Sequence, residues 1–280
     1  MADGAYRWQG CAPDPDAARV DALDAAFDEA QVETFAEPAR AAAVERLERA
    51  LAAVRTGDLT EAAAQLTHAR QTLEALHPET LEPRRGLAGL FDSRGRRLKR
   101  FREAYSRAAA TLSEVAVDLS GRIESAARRS GVLDGVWSEI RDTVADLDAH
   151  LRVAARRLSG QVAEGDEPQP LAARHATLEA CRSAALSALP LLRNAQNADA
   201  RAAERLRACT DGLAAWRDDW KDALGLSGRR PRKVRPDRER LRRLRDELLA
   251  SIDRALAELT SARTRRAEVE ARLAGLRKPL

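Results

Sequence analysis

Apolar residues recur at helical spacing along most of the chain, and the longest such series lies near its middle. From Phe101 to Leu158 the apolar positions alternate steps of four and three residues, with one doubled four-step between Leu119 and Ile123. This spacing is typical of a heptad seam that contains a stutter. It predicts one long helix from about Arg97 to Leu158, on the order of 90 Å in length at about 1.5 Å per residue.

Glycine and proline mark the places where helices should weaken or end. Gly131 and Gly135 each lower helix stability by about 1 kcal/mol relative to alanine, so we expect a break or bend near 121–135. Pro190 falls inside another helical pattern, where it should kink the helix or start a new one. The same reasoning predicts five further helices, at about residues 20–37, 44–56, 59–77, 171–224 and 236–276.

No segment alternates polar and apolar residues as a half-buried strand does. The sequence therefore predicts an all-α fold, an elongated helical bundle with long, coiled-coil-like antiparallel helices. We expect four divisions of the chain. They are a flexible N-terminal arm at 1–16, an acidic helical subdomain at 17–80, a connector rich in glycine and arginine at 81–100, and a long-helix bundle at 101–280, with a linker near 225–236.

Charge is spread unevenly along the chain. Residues 1–80 carry 15 acidic and 7 basic side chains, although the whole chain has a formal net charge of +4. Arginine outnumbers lysine 44 to 4, which is typical of GC-rich bacterial coding and lowers the weight of any single arginine. The N-terminal part is thus acidic and the remainder basic.

Cysteine spacing and hydropathy indicate the cellular compartment of the protein. Cys11, Cys181 and Cys209 are widely spaced and form no CxxC pair, and no signal peptide begins the sequence. No apolar run approaches the roughly 20 residues that cross a bilayer. We therefore expect a cytoplasmic protein with reduced thiols that reaches the inner membrane only from its surface.

Motifs that carry catalysis are missing from the sequence. It has no GxxxxGK[ST], GxGxxG, GxSxG or HExxH motif, and its four histidines lie on different predicted segments. Cys181 and Cys209 fall at apolar positions, where cysteine usually packs as a small buried side chain. We expect neither an enzyme, nor a metal site, nor a cofactor.

Two basic clusters are the best candidates for binding. Clusters of this kind attract phosphate backbones and anionic lipid. The acidic N-terminal region and plain solvation are the competing explanations. The candidate residues are Arg94, Arg96, Arg97, Lys99, Arg100, Arg229, Arg230, Arg232, Lys233 and Arg235.

Several segments follow one another in a recognisable order. They begin with 76-LHPETLEPRRGLAGLF-91 and 98-LKRFREAY-105, and they continue with 132-VLDGVWSEIRDTVADLDAHL-151 and 189-LPLLRNAQNADARAAERL-206. This order resembles the toxic anion resistance family, also called TelA-like or tellurite resistance proteins. The residues that carry the signature are Pro83, Gly86, Leu87, Phe91, Leu98, Phe101, Tyr105, Gln196 and Trp216.

The resemblance implies an all-helical protein of a stress-resistance system, and it supplies no catalytic residues. Two departures indicate a shortened or divergent member: 214-AAW-216 stands where the family has "PLW", and the linker at 227–236 replaces a helical segment. We expect a non-enzymatic scaffold with protein partners in resistance to tellurite-type anions or envelope stress. A homodimer through the long helix would be one way to cover its seam. The alternative is a protein that uses the two basic clusters to bind nucleic acid or an anionic membrane surface.

Overall fold

The structure, a computed structural model, describes residues 15–55, 59–82, 93–160 and 169–277. Within these ranges the chain forms α-helices and two short 3-10 helices, Glu29–Thr34 and Pro78–Leu81, and no β-strand. The all-α fold is confirmed. The α-helices are α1 (Ala17–Ala25), α2 (Glu37–Arg55), α3 (Leu59–Glu74), α4 (Arg94–Gly160), α5 (Pro170–Ala223) and α6 (Arg238–Arg277).

The long helix predicted from the heptad seam is α4. It continues through 121–135 without the break that the glycines suggested, and α5 likewise runs through Pro190. Packing explains both outcomes. The apolar positions of the seam are buried on both sides of the glycines, and one buried leucine or isoleucine contributes more stability than a helical glycine costs. Buried seam residues include Leu112, Leu119, Ile123, Leu133, Ile140 and Leu147.

The first predicted helix, at about 20–37, is wrong in its extent. Helix α1 ends at Ala25, and the Asp28 side chain then accepts a hydrogen bond from the Ala30 amide at 2.9 Å, which starts the first 3-10 helix. Pro38 lies in the first turn of α2 instead of ending a helix. Proline is tolerated there because the first amides of a helix have no partner within it.

Helical segments form two compact units that are discontinuous in sequence. The first contains the described parts of Met1–Gly57, Arg128–Ala198 and Thr264–Leu280, and the second those of Asp58–Ala127 and Asp199–Arg263. These bounds differ from the predicted divisions at 17–80, 81–100 and 101–280, which stay predictions. The predicted arm at 1–16 falls almost wholly outside the described residues.

In the first unit, α2, α4, α5 and α6 bury one shared apolar core. Its largest cluster joins Leu47 of α2, Ile140 of α4, Leu189 of α5 and Leu273 of α6. Ion pairs across the helix boundaries show antiparallel neighbours, since partner numbers rise on one helix as they fall on the other. Such pairs are Arg182–Asp148 and Arg193–Asp134 between α5 and α4, and Arg55–Glu270 and Arg277–Glu48 between α6 and α2.

The second unit packs α3 against the other halves of the long helices. Arg122 of α4 pairs with Glu61 of α3, and Arg70 of α3 pairs with Asp253 of α6 at 2.9 Å. Its interior holds four aromatic side chains of α4 and α5 in mutual contact, with ring centroids 5.0–6.0 Å apart. They are Phe101, Tyr105, Trp216 and Trp220.

A charged network in the first unit predicts a pH-dependent contribution to stability. Glu37 accepts hydrogen bonds from Arg40 at 2.7 Å and from Arg174 at 2.7 Å, which lower its pKa from 4.5 to about 2. Because the pKa is lower in the folded state, the stabilisation is present above pH 4.5 and is lost as the pH falls toward 2. Glu37→Gln should lower the free energy of unfolding by about 0.5–1 kcal/mol at neutral pH.

Urea unfolding of both proteins at neutral pH and at about pH 3 measures this difference. It should shrink at the lower pH, because the Glu37 carboxyl is then almost fully protonated in the unfolded state. The control Glu33→Gln, on the exposed 3-10 helix, should leave stability unchanged at neutral pH. A difference between wild type and Glu37→Gln that stays constant across the two pH values would contradict the assignment.

Candidate functional site

The two basic clusters predicted from the sequence lie side by side in the second unit. Arg94, at the start of α4, donates from Nη2 to the carbonyl oxygen of Val234 at 3.2 Å. The segments 93–100 and 225–236 together hold ten basic side chains and no acidic one. We call these ten residues the basic end; they are the predicted candidates Arg94, Arg96, Arg97, Lys99, Arg100, Arg229, Arg230, Arg232, Lys233 and Arg235.

The loop of the basic end starts from a well-defined helix terminus. After α5, the Gly225 amide bonds to the Asp222 carbonyl at 2.8 Å, and the Leu226 amide bonds to the Lys221 carbonyl at 2.8 Å. This pair of bonds is a Schellman motif, which requires a left-handed residue. Gly225 provides it with φ of 68°, and a Cβ there would lie 2.9 Å from a methyl carbon of Val234. The chain can therefore turn only because residue 225 is glycine.

Arg102 ties this loop to α4. Its Nε and Nη2 donate to the Leu224 carbonyl at 2.8 and 2.6 Å, and its Nη2 also donates to the Arg232 carbonyl at 2.7 Å. Leu224 is at the C-terminal end of α5, where carbonyl groups lack partners within the helix. A second arginine bonds to the backbone just beyond α3, since Arg245 donates to the Leu76 carbonyl at 2.9 Å. Sequence reasoning missed both roles, because a single arginine in an arginine-rich chain carries no signal of its partner.

Three acidic residues near the basic end are engaged by other groups. Asp237 caps α6 by accepting from the Arg240 amide at 3.1 Å, and Glu239 pairs with Arg242 at 2.8 Å. Glu82 pairs with Arg238. These three acids are therefore engaged by groups of α6 and not by described cations of the basic end.

Most side chains of the basic end are exposed to solvent. Arg94 is exposed and bonded to a carbonyl, and Arg97 is half-buried. Among the described residues, the other eight make no ion pair with an acidic side chain. They are Arg96, Lys99, Arg100, Arg229, Arg230, Arg232, Lys233 and Arg235, and all are exposed.

The acidic N-terminal region has other partners where it is described. Asp21 pairs with Arg156 at 2.9 Å, and Asp24 pairs with Arg157 at 2.7 Å, both within the first unit. Glu37 pairs with Arg40 and Arg174. These acids of residues 15–55 are therefore engaged by cations of the first unit.

An open groove of about 600 Å³ adjoins the basic end. Its wall includes Leu76, Glu79, Glu82, Arg97 and Arg100. Acidic and basic side chains thus face the same space, so the groove has no strong preference for an anion. The charge of the basic end is presented on a surface and not in a pocket.

Some family-signature residues lie in the core, and others fall outside the described residues. Pro83, Gly86, Leu87 and Phe91 lie outside the described residues. Leu98 is half-buried beside the cations. The remaining signature residues are buried side chains that hold helices together, as Tyr105 does by donating to the Arg217 carbonyl. These residues are Phe101, Tyr105, Gln196 and Trp216.

Replacing Arg102 tests whether it holds the loop. Arg102→Leu should lower the free energy of unfolding by about 2 kcal/mol, within the range for a hydrogen bond to a charged group, because it frees the carbonyl of the buried Leu224 as well as that of the exposed Arg232. Arg107→Leu, an exposed arginine further along α4, should change it by less than about 0.5 kcal/mol. Urea unfolding measures both, and equal effects would show that Arg102 makes no special contribution.

Thiols and metal ligands give no reactive arrangement in the described residues. Burial raises the pKa of the Cys209 thiol to about 11 and also raises that of Cys181. Among the described residues, no group of three or more His, Cys, Asp or Glu side chains is placed to hold a metal ion. The described helices also include none that is both long and apolar enough to cross a membrane.

Comparison with known proteins gives one match. The family model described as toxic anion resistance protein (TelA) matches residues 20–189, which is more than half of the chain. The matched range contains the first cluster of the basic end and stops before the second. No curated protein and no solved structure matched the chain.

Proposed function

Because the chain belongs to the toxic anion resistance (TelA) family, we propose that it is a non-enzymatic helical scaffold that binds partner proteins in a resistance system. The family match indicates a role in resistance to toxic anions of the tellurite type, and it is the observation that carries the proposal. Envelope stress is the second condition in which such a scaffold would act.

The condition of the thiols supports a role without catalysis. An oxyanion such as tellurite reacts with thiolates, and a thiol reacts through its thiolate form. Cys181 and Cys209 are fully buried, and burial raises the pKa of both. At neutral pH these two thiols are therefore protonated and shielded from solvent.

Tellurite tolerance of a deletion strain tests the proposal. Deletion of the gene should lower tolerance, and the wild-type gene should restore it. The double variant Cys181→Ala, Cys209→Ala should restore it equally if the protein is confirmed to be folded at a normal level. Unchanged tolerance to tellurite and to envelope stress after deletion would count against the resistance role. Failure of the folded double variant alone would favour a thiol enzyme.

A homodimer through the long helix is part of the same proposal. Val117 and Val132 are the large apolar side chains of α4 that the structure leaves exposed, at 72% and 57%. Sedimentation equilibrium of the purified chain should give twice the monomer mass of 30.6 kDa if two copies pair. A monomer at all concentrations would remove the homodimer and leave other proteins as the partners.

A second function is favoured by the geometry of the basic end. Two clusters that are more than 120 residues apart in sequence meet in one unit, where Arg94 contacts Val234. Eight exposed cations without an acidic partner among the described residues form a surface that attracts anionic polymers or membranes. We propose contact with a polyanion as this second function, and its binding should weaken as salt is added.

A further inference from the structure

We propose that the basic end docks on an anionic phospholipid surface, an inference that rests on the polyanion contact proposed above. The surface recognised would be the phosphate-bearing headgroups at the face of a bilayer. Docking would place the protein at a membrane without any helix entering it.

The position of the basic end within the second unit supports a contact made by the end of a helical bundle. Helices α4 and α6 begin there, at Arg94 and Arg238, while α3 and α5 end there. The starts of α4 and α6 carry positive partial charge. At the end of α5, the Leu224 carbonyl, which would be negative, is covered by Arg102, and Arg245 donates to the Leu76 carbonyl two residues beyond α3. Helix dipoles and side chains thus combine to give a positive surface.

Apolar side chains among the cations favour lipid over nucleic acid. Leu98, Leu226 and Val234 are half-buried, so each keeps part of its apolar surface in solvent within the two basic segments. Cations interleaved with apolar side chains suit the boundary between headgroups and acyl chains. A phosphate backbone offers no comparable apolar contact.

The basic end has arginine and lysine, which can bind guanine, but it lacks the aromatic and amide side chains that bind the other bases. Single strands are bound by stacking on exposed aromatic rings, but all four aromatic residues of this core are buried. Direct reading of a duplex uses amide side chains for adenine, and 93–100 and 225–236 contain neither asparagine nor glutamine. The surface therefore provides charge and apolar area, which a lipid headgroup layer requires, without most of the chemistry that distinguishes bases.

Removal of four cations should abolish most of the binding. Each Lys or Arg near an anionic membrane surface contributes roughly a fivefold factor to partitioning, so the loss of four should weaken binding on the order of several hundred-fold. The test variant carries Gln in place of Arg96, Lys99, Arg229 and Arg230, which are all exposed. Both helix starts and the Arg102 contacts remain intact in it.

A charge-matched control is available on the same unit. Four exposed arginines outside the basic end, Arg201, Arg205, Arg207 and Arg254, are replaced by Gln. Each variant changes the formal net charge from +4 to 0, because four positive charges are lost in both. Any difference between the two variants then reflects the position of the charges.

Vesicle flotation of the full chain measures the binding. The vesicles are pure phosphatidylcholine or an equimolar mixture with phosphatidylglycerol, at low and at high salt. We expect the wild type and the control variant to float with the phosphatidylglycerol vesicles at low salt, and the test variant to stay behind. High salt should release the protein, since the Debye length falls from about 30 Å at 0.01 M to about 3 Å at 1 M.

Binding of a short DNA duplex, measured in the same buffers, distinguishes docking on lipid from a general contact with polyanions. Binding of the duplex without binding of the vesicles would overturn the lipid surface and leave the polyanion contact standing. Binding of neither at low salt would overturn both. Equal loss of vesicle binding in the test and control variants would overturn the assignment to the basic end. Tellurite tolerance is scored separately, so none of these outcomes decides the resistance role.

Discussion

Replacing Trp220 with alanine is expected to lower the free energy of unfolding by about 3–5 kcal/mol. Trp220 is fully buried, and its ring lies 5.8 Å from that of Phe101 and 5.0 Å from that of Trp216. The truncation removes a large apolar surface and leaves a cavity that rigid helices can fill only in part. Far-UV circular dichroism during urea unfolding measures the change without relying on tryptophan fluorescence.

The conservative variant Trp220→Phe separates packing from hydrogen bonding. The indole Nε1 of Trp220 is buried and has no hydrogen-bond partner among the described residues. Phenylalanine keeps most of the ring contact and removes this unsatisfied donor, which costs about 1–3 kcal/mol when buried. We expect Trp220→Phe to lower stability by less than about 1.5 kcal/mol. A loss as large as that of the alanine variant would show that the indole N–H makes a bond important for folding.

This aromatic core was predictable from the sequence as far as helix spacing extends. Trp216 and Trp220 stand four residues apart on α5, and Phe101 and Tyr105 stand four apart on α4, so each pair shares a helix face. Periodicity therefore predicts which side chains turn inward. Periodicity does not indicate which helices pack against each other. The contact between the aromatic pair of α4 and that of α5 could therefore not be predicted.

Tertiary packing explains where local rules failed. Pro190 removes one backbone hydrogen bond, but Leu189, Leu191 and Leu192 around it are buried and hold the helix in place. Near the N-terminus, tertiary contacts instead shortened a predicted helix. Phe35 lies 5.1 Å from Phe27 and 5.6 Å from His150, and these contacts favour a compact 3-10 turn over a continued helix. Helix propensity is therefore a weak guide to backbone conformation where tertiary contacts of this kind are present.

The basic end was predictable as residues but not as a surface. Both clusters stand out in the sequence because each segment lacks acids. They are joined by Arg102, which binds the carbonyls of Leu224 and Arg232 across 122 and 130 residues, and by the bond of Arg94 to Val234. The spacing of residues in a single sequence does not reveal a contact between positions this far apart. The match to the family model did not help, because it covers residues 20–189 and stops before the second cluster.

Replacing Gly121, Gly131 and Gly135 with alanine should raise the free energy of unfolding by about 1.5–3 kcal/mol in total. All three are exposed positions within α4, and a Cβ at each would meet no atom within 4 Å. Each glycine in a helix interior costs roughly 0.5–1 kcal/mol relative to alanine, because the unfolded chain has more freedom to lose. Urea unfolding of the single and triple variants measures the gain, which should be close to additive for Gly121 and the other two.

Gly225→Ala is the matched control, and it should change the free energy of unfolding in the opposite direction. Its φ of 68° is unfavourable for alanine, and the added Cβ would lie 2.9 Å from Val234. The same chemical change should therefore destabilise the protein at 225 and stabilise it at the three helical positions. If the triple variant loses stability instead, the expectation of open space at these three positions is wrong, and a surface packed against α4 is the explanation to test. A second copy along α4 would then be the first candidate, because Val117 and Val132 are exposed on this helix.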